Sequence, residues 1–416
     1  MTTKPSYTPA LRFPDFRNDG EWEVKRLGEI AESFTGLTYS PEQVVEKEGT
    51  LVLRSSNIKN GVLSFEDNVY VQMEIPERAI THIGDLLICV RNGSKNLIGK
   101  SAVITKEAEN MAFGAFMTVL SAKEGVDQIF LNYLWQSDLV QNQILRNLGS
   151  TINQITNKDL SGYKVCVPPF SEQRRIAQAL TALDELIAAT NEKLEQMKAY
   201  KKGLMQKLFP AKGKKLPELR FKEFKKDGGW EEVPFGSIIK ECKDVSKVEN
   251  EDVLLSSAIE GVFLNSEIFT HQRGSSNIGY RKLRKNMLIL SAQNLHLGNA
   301  NVNLRFEHGL ISPAYKIYEI NNCFPEFLYH WIKKDSTKEF FFDATIEGAS
   351  VCRRNVMWNK LYEQKISNPS FLEQRKIASC LSTMDDQINA YTEKVGLLGQ
   401  YKKGLMQRMF PQNQMN

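Results

Sequence analysis

Two copies of one 39-residue segment constrain this sequence more than any other feature. Residues 172–210 and 373–411 align without a gap at an offset of 201, and 20 of the 39 aligned positions are identical. Each copy begins Glu-Gln-Arg and contains Tyr-Lys-Lys-Gly-Leu-Met-Gln shortly before a final Phe-Pro. Because a repeat with a fixed period determines the architecture, we expect a chain built from two equivalent halves.

Apolar residues in both copies recur at steps of three and four. This spacing predicts a long helix whose apolar seam faces another helix. Ser171 is expected to cap the first helix, Glu172 places negative charge in its first turn, and Pro210 closes its far end. At about 1.5 Å per residue, the helix would be roughly 50 Å long. The seam comprises Ile176, Leu180, Leu183, Ile187, Leu194, Met197, Leu204 and Leu208 in the first copy, and Ile377, Leu381, Met384, Ile388, Val395, Leu398, Leu405 and Met409 in the second.

The repeated glycines Gly203 and Gly404 are costly in a helix, by about 1 kcal/mol each relative to alanine. We therefore expect another backbone to approach closely at each glycine. Ordinary amphipathic core helices are the alternative, but the shared register favours a helix pair. If the helices pair antiparallel, an approximate two-fold axis would relate two domains at opposite ends. Two domains separated by a helix roughly 50 Å long fit a DNA target whose two parts lie somewhat more than one helical turn of DNA, about 34 Å, apart.

The composition is that of a globular protein. With 42% hydrophobic and 25% charged residues, 416 residues are enough for two to four domains. No apolar run reaches the length of a membrane span, and residues 1–10 do not resemble a signal peptide, so we expect no membrane association and a cytoplasmic location. Six cysteines without a CxxC pair predict reduced thiols. A net charge of +5 permits a polyanionic partner without requiring one.

A second repeat precedes each globular region. Leu-Arg-Phe at residues 11–13, followed by Trp22, returns at residues 219–221, followed by Trp230. Each copy predicts a polar turn that delivers a buried tryptophan into the next domain. About 140 residues follow each turn, and the two stretches agree only in outline. The predicted strands and helices are Leu51–Leu53, Leu86–Val90, Ser101–Ile104, Met117–Leu120 and a helical stretch around Ile129–Leu148, then Val253–Leu255, Met287–Leu290, Ala314–Tyr318 and a helix at Pro325–Lys334.

These patterns predict an α+β chain: two α/β domains with mixed sheets, separated by two long helices that pair as an antiparallel coiled coil. The lysine-rich residues 211–226 are interpreted as an exposed linker. The predicted boundaries are a turn segment at 1–21, the first domain at 22–170, the first helix at 171–210, a linker and turn at 211–229, the second domain at 230–370, the second helix at 371–411, and a tail at 412–416.

Several stretches resemble catalytic signatures, and each fails a geometric requirement. Gly93 to Ser101 is one residue too long for the phosphate-binding G-x4-GK[ST] loop. Pro168-Pro169-Phe170 lacks the preceding polar residue of an adenine methyltransferase tetrapeptide. Pro14-Asp15 with Glu23 lacks the spacing of a nuclease site. The five histidines show no metal-ligand spacing. The sequence therefore predicts a non-catalytic chain with no metal or cofactor of its own.

Polar loops rich in Arg, Lys, Asn, Gln and Ser remain, and they lie where the two domains diverge. Arginine pairs with guanine, Asn and Gln pair with adenine, and Lys and Ser contact phosphates. Any single loop is ordinary surface more often than a DNA contact, but matched loops in two domains favour DNA. The candidates are Arg54, Asn57, Arg91, Asn92, Ser94, Lys95, Asn153, Gln154, Asn157 and Lys158, with Ser150 and Thr151 nearby, and Arg273, Ser275, Asn277, Arg281, Lys282, Gln293, Asn294, Arg353, Arg354 and Asn355.

Nearly the whole chain resembles the specificity subunit of type I restriction–modification enzymes. The resemblance rests on the Pro-Pro-Phe-Ser-Glu-Gln-Arg-Arg-Ile start at 168–176, the Tyr-Lys-Lys-Gly-Leu-Met-Gln-Lys-Leu-Phe-Pro end at 200–210, and their return after a second domain. The strand at 84–88, followed by Gly93-Ser94 and Ile98-Gly99, also resembles a target-recognition domain of that family. The second copy departs from the pattern at Ser370-Phe371-Leu372.

The resemblance implies that each domain reads one half of a bipartite, asymmetric site in double-stranded DNA. It also implies that the paired helices set the gap and dock two modification subunits, which bind S-adenosylmethionine and methylate adenine. Two restriction subunits, which use ATP and Mg, could join to give cleavage. The residues assigned to helix pairing and docking are Glu172, Gln173, Ile176, Leu180, Leu183, Ile187, Leu194, Tyr200, Gly203 and Leu204, and Glu373, Gln374, Ile377, Leu381, Met384, Ile388, Val395, Tyr401, Gly404 and Leu405.

Two other classes of function are compatible with two divergent domains joined by a pair of long helices. A fused methyltransferase or nuclease would bind a methyl donor or cut DNA alone, and the missing motifs argue against it. A protein–protein adaptor would show no DNA preference even with its partners present.

Overall fold

The computed structural model describes residues 7–148, 153–269, 276–347 and 354–411. The chain forms two compact units. The first comprises Met1–Thr190 with Lys394–Asn416, and the second comprises Asn191–Glu393. Each unit therefore combines one sheet-rich domain, the first part of one long helix and the last part of the other. Within the described ranges, no helix is long and apolar enough to cross a membrane.

The first unit is built from short strands and short helices. The strands are β1 (Glu23–Arg26), β2 (Ala31–Thr35), β3 (Val44–Val45), β4 (Thr50–Leu53), β5 (Ile58–Lys59), β6 (Val62–Leu63), β7 (Tyr70–Val71), β8 (Leu86–Cys89), β9 (Ser101–Val103), β10 (Ala112–Phe113), β11 (Met117–Ala122) and β12 (Lys164–Val167). The short α-helices are α1 (Leu27–Ile30), α2 (Gln128–Gln136), α3 (Asp138–Asn147) and α4 (Asn157–Gly162). Turns of 3-10 helix lie at Pro14–Phe16, Pro41–Gln43, Ser55–Asn57, Glu77–Ala79, Lys95–Leu97 and Lys106–Ala108.

Two four-stranded sheets form the domain of the first unit. One is antiparallel, in the order β2-β11-β8-β9. The other, in the order β10-β4-β7-β3, is mixed because β10 and β4 run parallel. Alternate residues of β8 serve two cores, since Leu86 and Ile88 pack with the helices while Leu87 and Cys89 pack with the mixed sheet. The antiparallel sheet is thus covered on both faces.

The second unit repeats this plan. Its strands are β13 (Glu231–Pro234), β14 (Ile239–Cys242), β15 (Leu254–Ser257), β16 (Val262–Leu264), β17 (Arg281–Arg284), β18 (Leu288–Ser291), β19 (Ala300–Val302), β20 (His308–Ile311), β21 (Tyr315–Ile320), β22 (Thr345–Glu347), β23 (Arg354–Val356) and β24 (Lys365–Asn368). Its short helices are α6 (Asn265–Ile268), α7 (Pro325–Ile332), α8 (Asp335–Asp343) and α9 (Trp358–Glu363), with 3-10 turns at Lys222–Phe224, Phe235–Ile238 and Leu295–Leu297. The sheet orders are β14-β21-β18-β19, which is antiparallel, and β16-β15-β20-β17, in which β15 and β20 are parallel.

The predicted mixed sheet is present in each domain, together with an antiparallel sheet that the sequence did not separate from it. The helical stretch predicted around Ile129–Leu148 is confirmed, and it is divided between α2 and α3. Ser137 lies between them with extended backbone angles, and its Oγ donates to the Leu134 carbonyl at 2.6 Å. A serine that bonds its own preceding turn competes with the helical hydrogen bonds, which explains the break.

Two long helices of 39 residues each, α5 (Phe170–Leu208) and α10 (Phe371–Met409), pair antiparallel in both units. In the first unit, Lys402 Nζ lies 2.6 Å from Asp184 Oδ1. In the second unit, Lys201 pairs with Asp385. Each ion pair joins a residue near the start of one helix to a residue near the end of the other. In the sequence, the apolar seam is interrupted at matching places, first at Thr190 and Tyr391 and then at Lys201 and Lys402. The cross-helix pairs explain the second interruption.

The two copies of the seam are not equally buried. Leu180 and Leu381 are completely buried, as are most seam residues near the helix starts. Farther along, Leu194 of α5 is buried, but its counterpart Val395 of α10 is only half-buried. Met384 and Ile388 are also half-buried, which leaves apolar surface along α10.

The expected N-cap at Ser171 is wrong, because α5 already begins at Phe170. The Pro169 carbonyl accepts from the backbone N–H groups of Glu172 at 2.9 Å and Gln173 at 3.1 Å. A proline carbonyl placed before the first turn thus satisfies N–H groups that have no partner within the helix. In α10 the backbone N–H of Glu373 donates to Ser370 Oγ, at 3.4 Å.

The repeated Leu-Arg-Phe turn acts as a clasp on the long helices within its own unit. In the first unit, Arg12 forms a bidentate pair with Glu172 of α5 at 2.8 and 2.7 Å, and both side chains are buried. The backbone N–H of Leu11 donates to the Arg408 carbonyl of α10 at 2.8 Å. The clasp therefore ties the start of one helix to the end of the other.

The second unit repeats the clasp with different partners along the chain. Arg220 pairs with Glu373 at 2.8 Å through two hydrogen bonds, and the Leu219 N–H donates to the Lys207 carbonyl at 2.9 Å. Both predicted buried tryptophans are confirmed, with Trp22 2% and Trp230 3% exposed. Each joins an aromatic trio, one formed by Trp22, Phe130 and Phe410 and the other by Trp230, Phe327 and Phe209.

Candidate nucleic-acid interface

Two candidate loops of the first domain lie side by side. Arg91, just after β8, forms a backbone bridge with Gln154. The backbone N–H of Asn92 donates to the Asn153 carbonyl at 3.3 Å, and the Asn153 side-chain amide donates to the Gly93 carbonyl at 3.0 Å. Residues 91–95 and 153–154 thus form one polar surface, although they are separated by about sixty residues of chain.

A third loop joins this surface through Ser55, which lies in the predicted polar loop beside the candidate Arg54. The Asn92 amide donates to Ser55 Oγ at 3.0 Å, and Lys100 Nζ donates to the Ser55 carbonyl at 3.2 Å. Arg54 is half-buried, and its guanidinium lies 3.0 Å from Asp67 Oδ1. These contacts bring the loops after β4 and β8 together at one end of the domain.

Asn57 faces inward and is completely buried. Its side-chain amide donates to the carbonyls of Ser64 at 3.0 Å and Asp67 at 3.1 Å, and its oxygen accepts from the Arg54 N–H at 2.9 Å. All of these partners belong to the same loop. Asn57 therefore shapes the loop and is not available to contact a base.

The other candidates of the first domain are exposed. Ser94 donates its N–H to Asn92 Oδ1, and Lys95 reaches the Leu148 carbonyl at 3.4 Å. The Asn157 amide donates to Thr35 Oγ1 at 3.0 Å. Lys158, on the first turn of α4, has its side chain in solvent. Ser150 and Thr151 lie outside the described residues.

In the second domain, one of the two cationic candidates on β17 is paired with a carboxylate. Lys282 pairs with Glu251. Its neighbours follow the same pattern, since Arg284 lies 3.0 Å from Glu319 and Lys285 lies 2.5 Å from Glu307. Arg281 is half-buried, and its Nε has no hydrogen-bond partner within the described ranges. This strand is thus less cationic than its sequence suggests.

A different group of candidates follows β18, at the place that Arg91 and Asn92 occupy after β8. Gln293 and Asn294 are exposed there, and the Asn294 N–H donates to Ser291 Oγ at 3.1 Å. Asn277 is buried, because its amide donates to Asn250 Oδ1 and its oxygen accepts from the Asn250 N–H, both at 2.8 Å. Like Asn57, it holds a loop. Arg273, Ser275 and Arg353 lie outside the described residues.

Arg354 starts strand β23 and comes close to the Gln293 loop. Its Nε donates to Thr345 Oγ1 at 2.8 Å, and its guanidinium lies 4.1 Å from the ring centroid of Phe342. Burial, and then the positive charge of Arg354, lowers the pKa of His296 in that loop. Asn355 beside it is exposed. The second domain therefore also gathers polar side chains from two separate loops.

The helix residues Glu172, Gln173, Glu373 and Gln374 are each 1% exposed, so none can belong to an exposed docking surface. The two glutamates pair with the clasp arginines. The Gln173 amide donates to the Pro168 carbonyl at 2.9 Å, and its oxygen accepts from the Asp127 N–H, also at 2.9 Å. The repeated Glu-Gln therefore anchors each domain to its own helix.

A second anchor joins each domain to the helix pair through different residues. In the first unit, Tyr133 of α2 donates to Asp184 Oδ2 at 2.7 Å, and Asp184 also pairs with Lys402. In the second unit, His330 of α7 takes the place of the tyrosine. Its Nε2 lies 3.1 Å from Ser382 Oγ, and its Nδ1 lies 3.8 Å from Asp385 Oδ2. The repeat of Asp184 as Asp385 is the sequence signal that could have identified this junction.

Other repeated helix residues remain exposed. Tyr200 is 63% and Tyr401 is 60% exposed. The expected close approach at Gly203 and Gly404 is not found, since a methyl group added at either glycine would meet no described atom within 4 Å. These residues therefore have no packing role that the described chain explains. No group of three His, Cys, Asp or Glu side chains in the described ranges is arranged to hold a metal ion.

Comparison with known proteins gives a consistent result. Residues 19–199 match the type I restriction modification DNA specificity domain. The EcoKI specificity subunit of Escherichia coli K12 is 26% identical over 353 residues, which cover 81% of this chain and 73% of that protein. A specificity subunit assigned to the MjaX type I restriction enzyme of Methanocaldococcus jannaschii is 25% identical over 406 residues, covering 93% and 92%.

Solved structures share the fold. The type I restriction–modification S subunit of M. genitalium has a TM-score of 0.57 at 16% identity, covering 98% of this chain and all of that one. A chain from a structural study of assembly and conformational transition in a type I system has a TM-score of 0.55 at 17% identity, with 94% and 98% coverage. This chain, with two domains of one plan on a duplicated helix pair, is similar to type I restriction–modification specificity subunits over most of its length. The match to the DNA specificity domain itself covers residues 19–199.

Proposed function

We propose that this chain is the non-catalytic subunit that gives a type I restriction–modification complex its DNA sequence specificity. The observation that carries the proposal is the matched position of polar loops in two otherwise parallel domains. Arg91 and Asn92 follow β8 in the first domain, and Gln293 and Asn294 follow the equivalent β18 in the second. Since these side chains pair with different bases, the domains would read two different half-sites.

Within each domain, the accessible candidates would contact DNA directly while the buried ones support them. Arg91, Asn92, Asn153 and Gln154 would face base edges in the first domain, with Lys95 and Lys158 on phosphates. In the second domain, Gln293, Asn294, Arg354 and Asn355 would face the bases. Asn57 and Asn277 shape the loops that carry these side chains.

The long helices would set the gap between half-sites and dock two modification subunits, one on each copy of the repeated surface. Support comes from Tyr200 and Tyr401, which are exposed, and from Gly203 and Gly404, which leave room for a close backbone. The half-buried α10 seam supplies further apolar area, and exposed apolar surface of this kind marks sites of association. S-adenosylmethionine would bind in the modification subunit. ATP and Mg would bind in restriction subunits when these join, and the complex would act on chromosomal DNA in the cytoplasm.

The test is the genome-wide pattern of N6-methyladenine in cells that carry this chain and an active modification subunit, with and without the chain. We expect a bipartite motif with a fixed gap that disappears when the chain is deleted. If no motif is lost while the modification subunit remains active, the chain does not direct methylation.

A second experiment tests the role of the helices. Two additional turns inserted into both α5 and α10 should lengthen the gap in the methylated motif without changing either half-site. An unchanged gap would show that the helices do not set the distance.

A further inference from the structure

An exposed phenylalanine beside Arg91 has no role in the core of the first domain. Phe116 is 54% exposed and is absent from the buried cores of the described domain. It lies just before β11, whose neighbour β8 ends just before Arg91. Because these strands are antiparallel, the residue before one and the residue after the other meet at the same end of the sheet.

The backbone fixes Phe116 on this polar surface. Its carbonyl accepts hydrogen bonds from the N–H groups of Val90 at 3.0 Å and Arg91 at 3.2 Å. The two donors therefore fix the backbone of Phe116 beside Arg91. The exposed ring adds an apolar side chain to a surface whose other members are polar.

Arg91 combines a contact with an aromatic ring and the lack of a described ion pair. Its guanidinium carbon lies 5.0 Å from the Phe116 ring centroid. In the described part of the chain, no carboxylate forms an ion pair with it, whereas Arg54 pairs with Asp67 and Arg284 with Glu319. Stacking on the ring orients the planar guanidinium and leaves its edge donors free.

We propose that Arg91 and Phe116 act together to read a guanine and the 5-methyl group of a neighbouring thymine in the half-site of the first domain. Arginine bonds guanine O6 and N7 in the major groove, and phenylalanine contacts the thymine methyl there. Successive bases lie about 3.4 Å apart, so side chains 5.0 Å apart can reach adjacent bases. The inference rests on the proposed function and adds a residue and a base step to it.

The second domain provides a natural contrast at the same backbone position. There the Ala292 N–H donates to the Ala314 carbonyl at 3.1 Å, as Val90 does to Phe116. Gln293 takes the place of Arg91. A domain with alanine and glutamine at these positions lacks both the aromatic ring and the guanidinium. Its half-site should therefore not depend on a thymine methyl contacted by an aromatic ring. The Phe116→Ala variant gives the first domain the side chain that the second one carries.

The experiment uses the full chain in complex with its modification subunit, on duplexes carrying the methylated motif. The half-site of the first domain is the one in which Arg91→Ala relaxes the preference at a guanine. Each thymine in that half-site is replaced in turn by deoxyuridine, which lacks only the methyl group. We expect about fourfold weaker binding at the thymine next to that guanine, the factor that corresponds to about 0.8 kcal/mol for one buried methyl-sized group.

With Phe116→Ala, thymine and deoxyuridine should bind equally at that position. Phe170→Ala, a matched change at another exposed phenylalanine of the same unit (47% exposed), should keep the fourfold difference. Equal binding of thymine and deoxyuridine by the unaltered chain would overturn the inference, as would a half-site with no thymine beside the guanine. Either result leaves the proposed function intact if methylation still depends on the chain, whereas loss of that dependence would count against the proposed function itself.

Discussion

The two units share one scaffold but differ at two kinds of position. The order of the antiparallel sheet, the clasp, the aromatic trio and the Lys–Asp pair are the same in both. The exposed loops differ, with Arg91 and Phe116 in the first unit where Gln293 and Ala314 stand in the second. The junction to the helices also differs, with Tyr133 in one and His330 in the other. Duplication has thus kept the clasp, the aromatic trio and the Lys–Asp pair, while the junction residue and the surface proposed to face DNA have diverged.

The clasp should be the most sensitive shared feature. Arg220→Ala leaves Glu373 buried without its partner, so we expect the second unit to lose about 3–5 kcal/mol of stability. Arg12→Ala should do the same to the first unit through Glu172. Limited proteolysis with mass spectrometry, at increasing urea, would show which unit opens first.

Lys59→Ala is the control for the clasp variants, because its pair with Glu66 is exposed and worth at most about 1 kcal/mol. If Arg220→Ala opened both units equally, or neither, the clasp would not be a local anchor. The two units would then unfold together as one cooperative body.

The contact of His330 with Ser382 and Asp385 predicts a pH dependence in the second unit. The first unit lacks this dependence because Tyr133 takes the place of the histidine. Burial, and then the charge of Lys201, lowers the pKa of His330 from about 6.5 to about 3. Between these values the unfolded chain binds a proton that the folded chain excludes, so stability is present above pH 6.5 and falls as the pH decreases. We expect a loss on the order of 3 kcal/mol by pH 4. The groups facing the imidazole are Ser382, Asp385 and Lys201.

His330→Tyr would install the residue of the first unit and should remove this part of the pH dependence. Burial raises the pKa of Tyr133, so a tyrosine at the junction stays neutral throughout this range. Denaturant unfolding of both proteins at pH 7 and pH 4.5 measures the difference. An equal loss of stability in the two proteins would assign the acid sensitivity to other groups.

Sequence reasoning predicted the repeated features well and the long-range ones poorly. Helical spacing located both long helices, and each repeated tryptophan was expected to be buried. In contrast, Glu172 was assigned to helix pairing and docking from the resemblance, and no local signal pointed to its partner Arg12, which lies 160 residues away along the chain. No local pattern reveals that a charged residue will find such a partner. Burial of an ion pair is decided by tertiary packing.

In the candidate loops too, tertiary packing decides what the local sequence does not reveal. Their positions at strand ends could be predicted, but the direction of each side chain could not. Asn57 points inward because its own loop offers three hydrogen-bond partners, and Lys282 is neutralised by Glu251 from a separate segment. Phe116 was missed because an aromatic residue next to a strand is usually part of the core.

The divergent loops predict half-specific effects on recognition. Arg91→Ala should relax one position of one half-site by about 1–3 kcal/mol, and Gln293→Ala should relax one position of the other half-site by a similar amount. Methylome sequencing of cells carrying each variant reads both half-sites at once. The physical reason is that each bidentate base contact discriminates at one base pair only.

Lys158→Ala separates base reading from phosphate binding, because a lost phosphate contact weakens all sequences alike and reduces the salt dependence. If Arg91→Ala also weakened binding to all sequences without relaxing any position, Arg91 would be a phosphate contact. The difference between Arg91 and Gln293 would then not explain a difference in sequence specificity between the two domains.

The smallest expected effect concerns the repeated glycines, and it tests why both long helices carry them. Within the described chain nothing lies near the Cβ position of Gly203, so Gly203→Ala should stabilise the isolated chain by about 1 kcal/mol. If a modification subunit approaches the helix at this point, the same methyl group should weaken assembly by about 1 kcal/mol.

Gly396→Ala is the matched control, since Gly396 is equally open but has Glu195 as its counterpart in α5. Thermal unfolding and titration with the modification subunit measure the two effects separately. Stabilisation by both variants with weaker assembly only for Gly203→Ala would show that the glycine is kept for a partner, whereas identical behaviour of the two would remove that reason for its repetition.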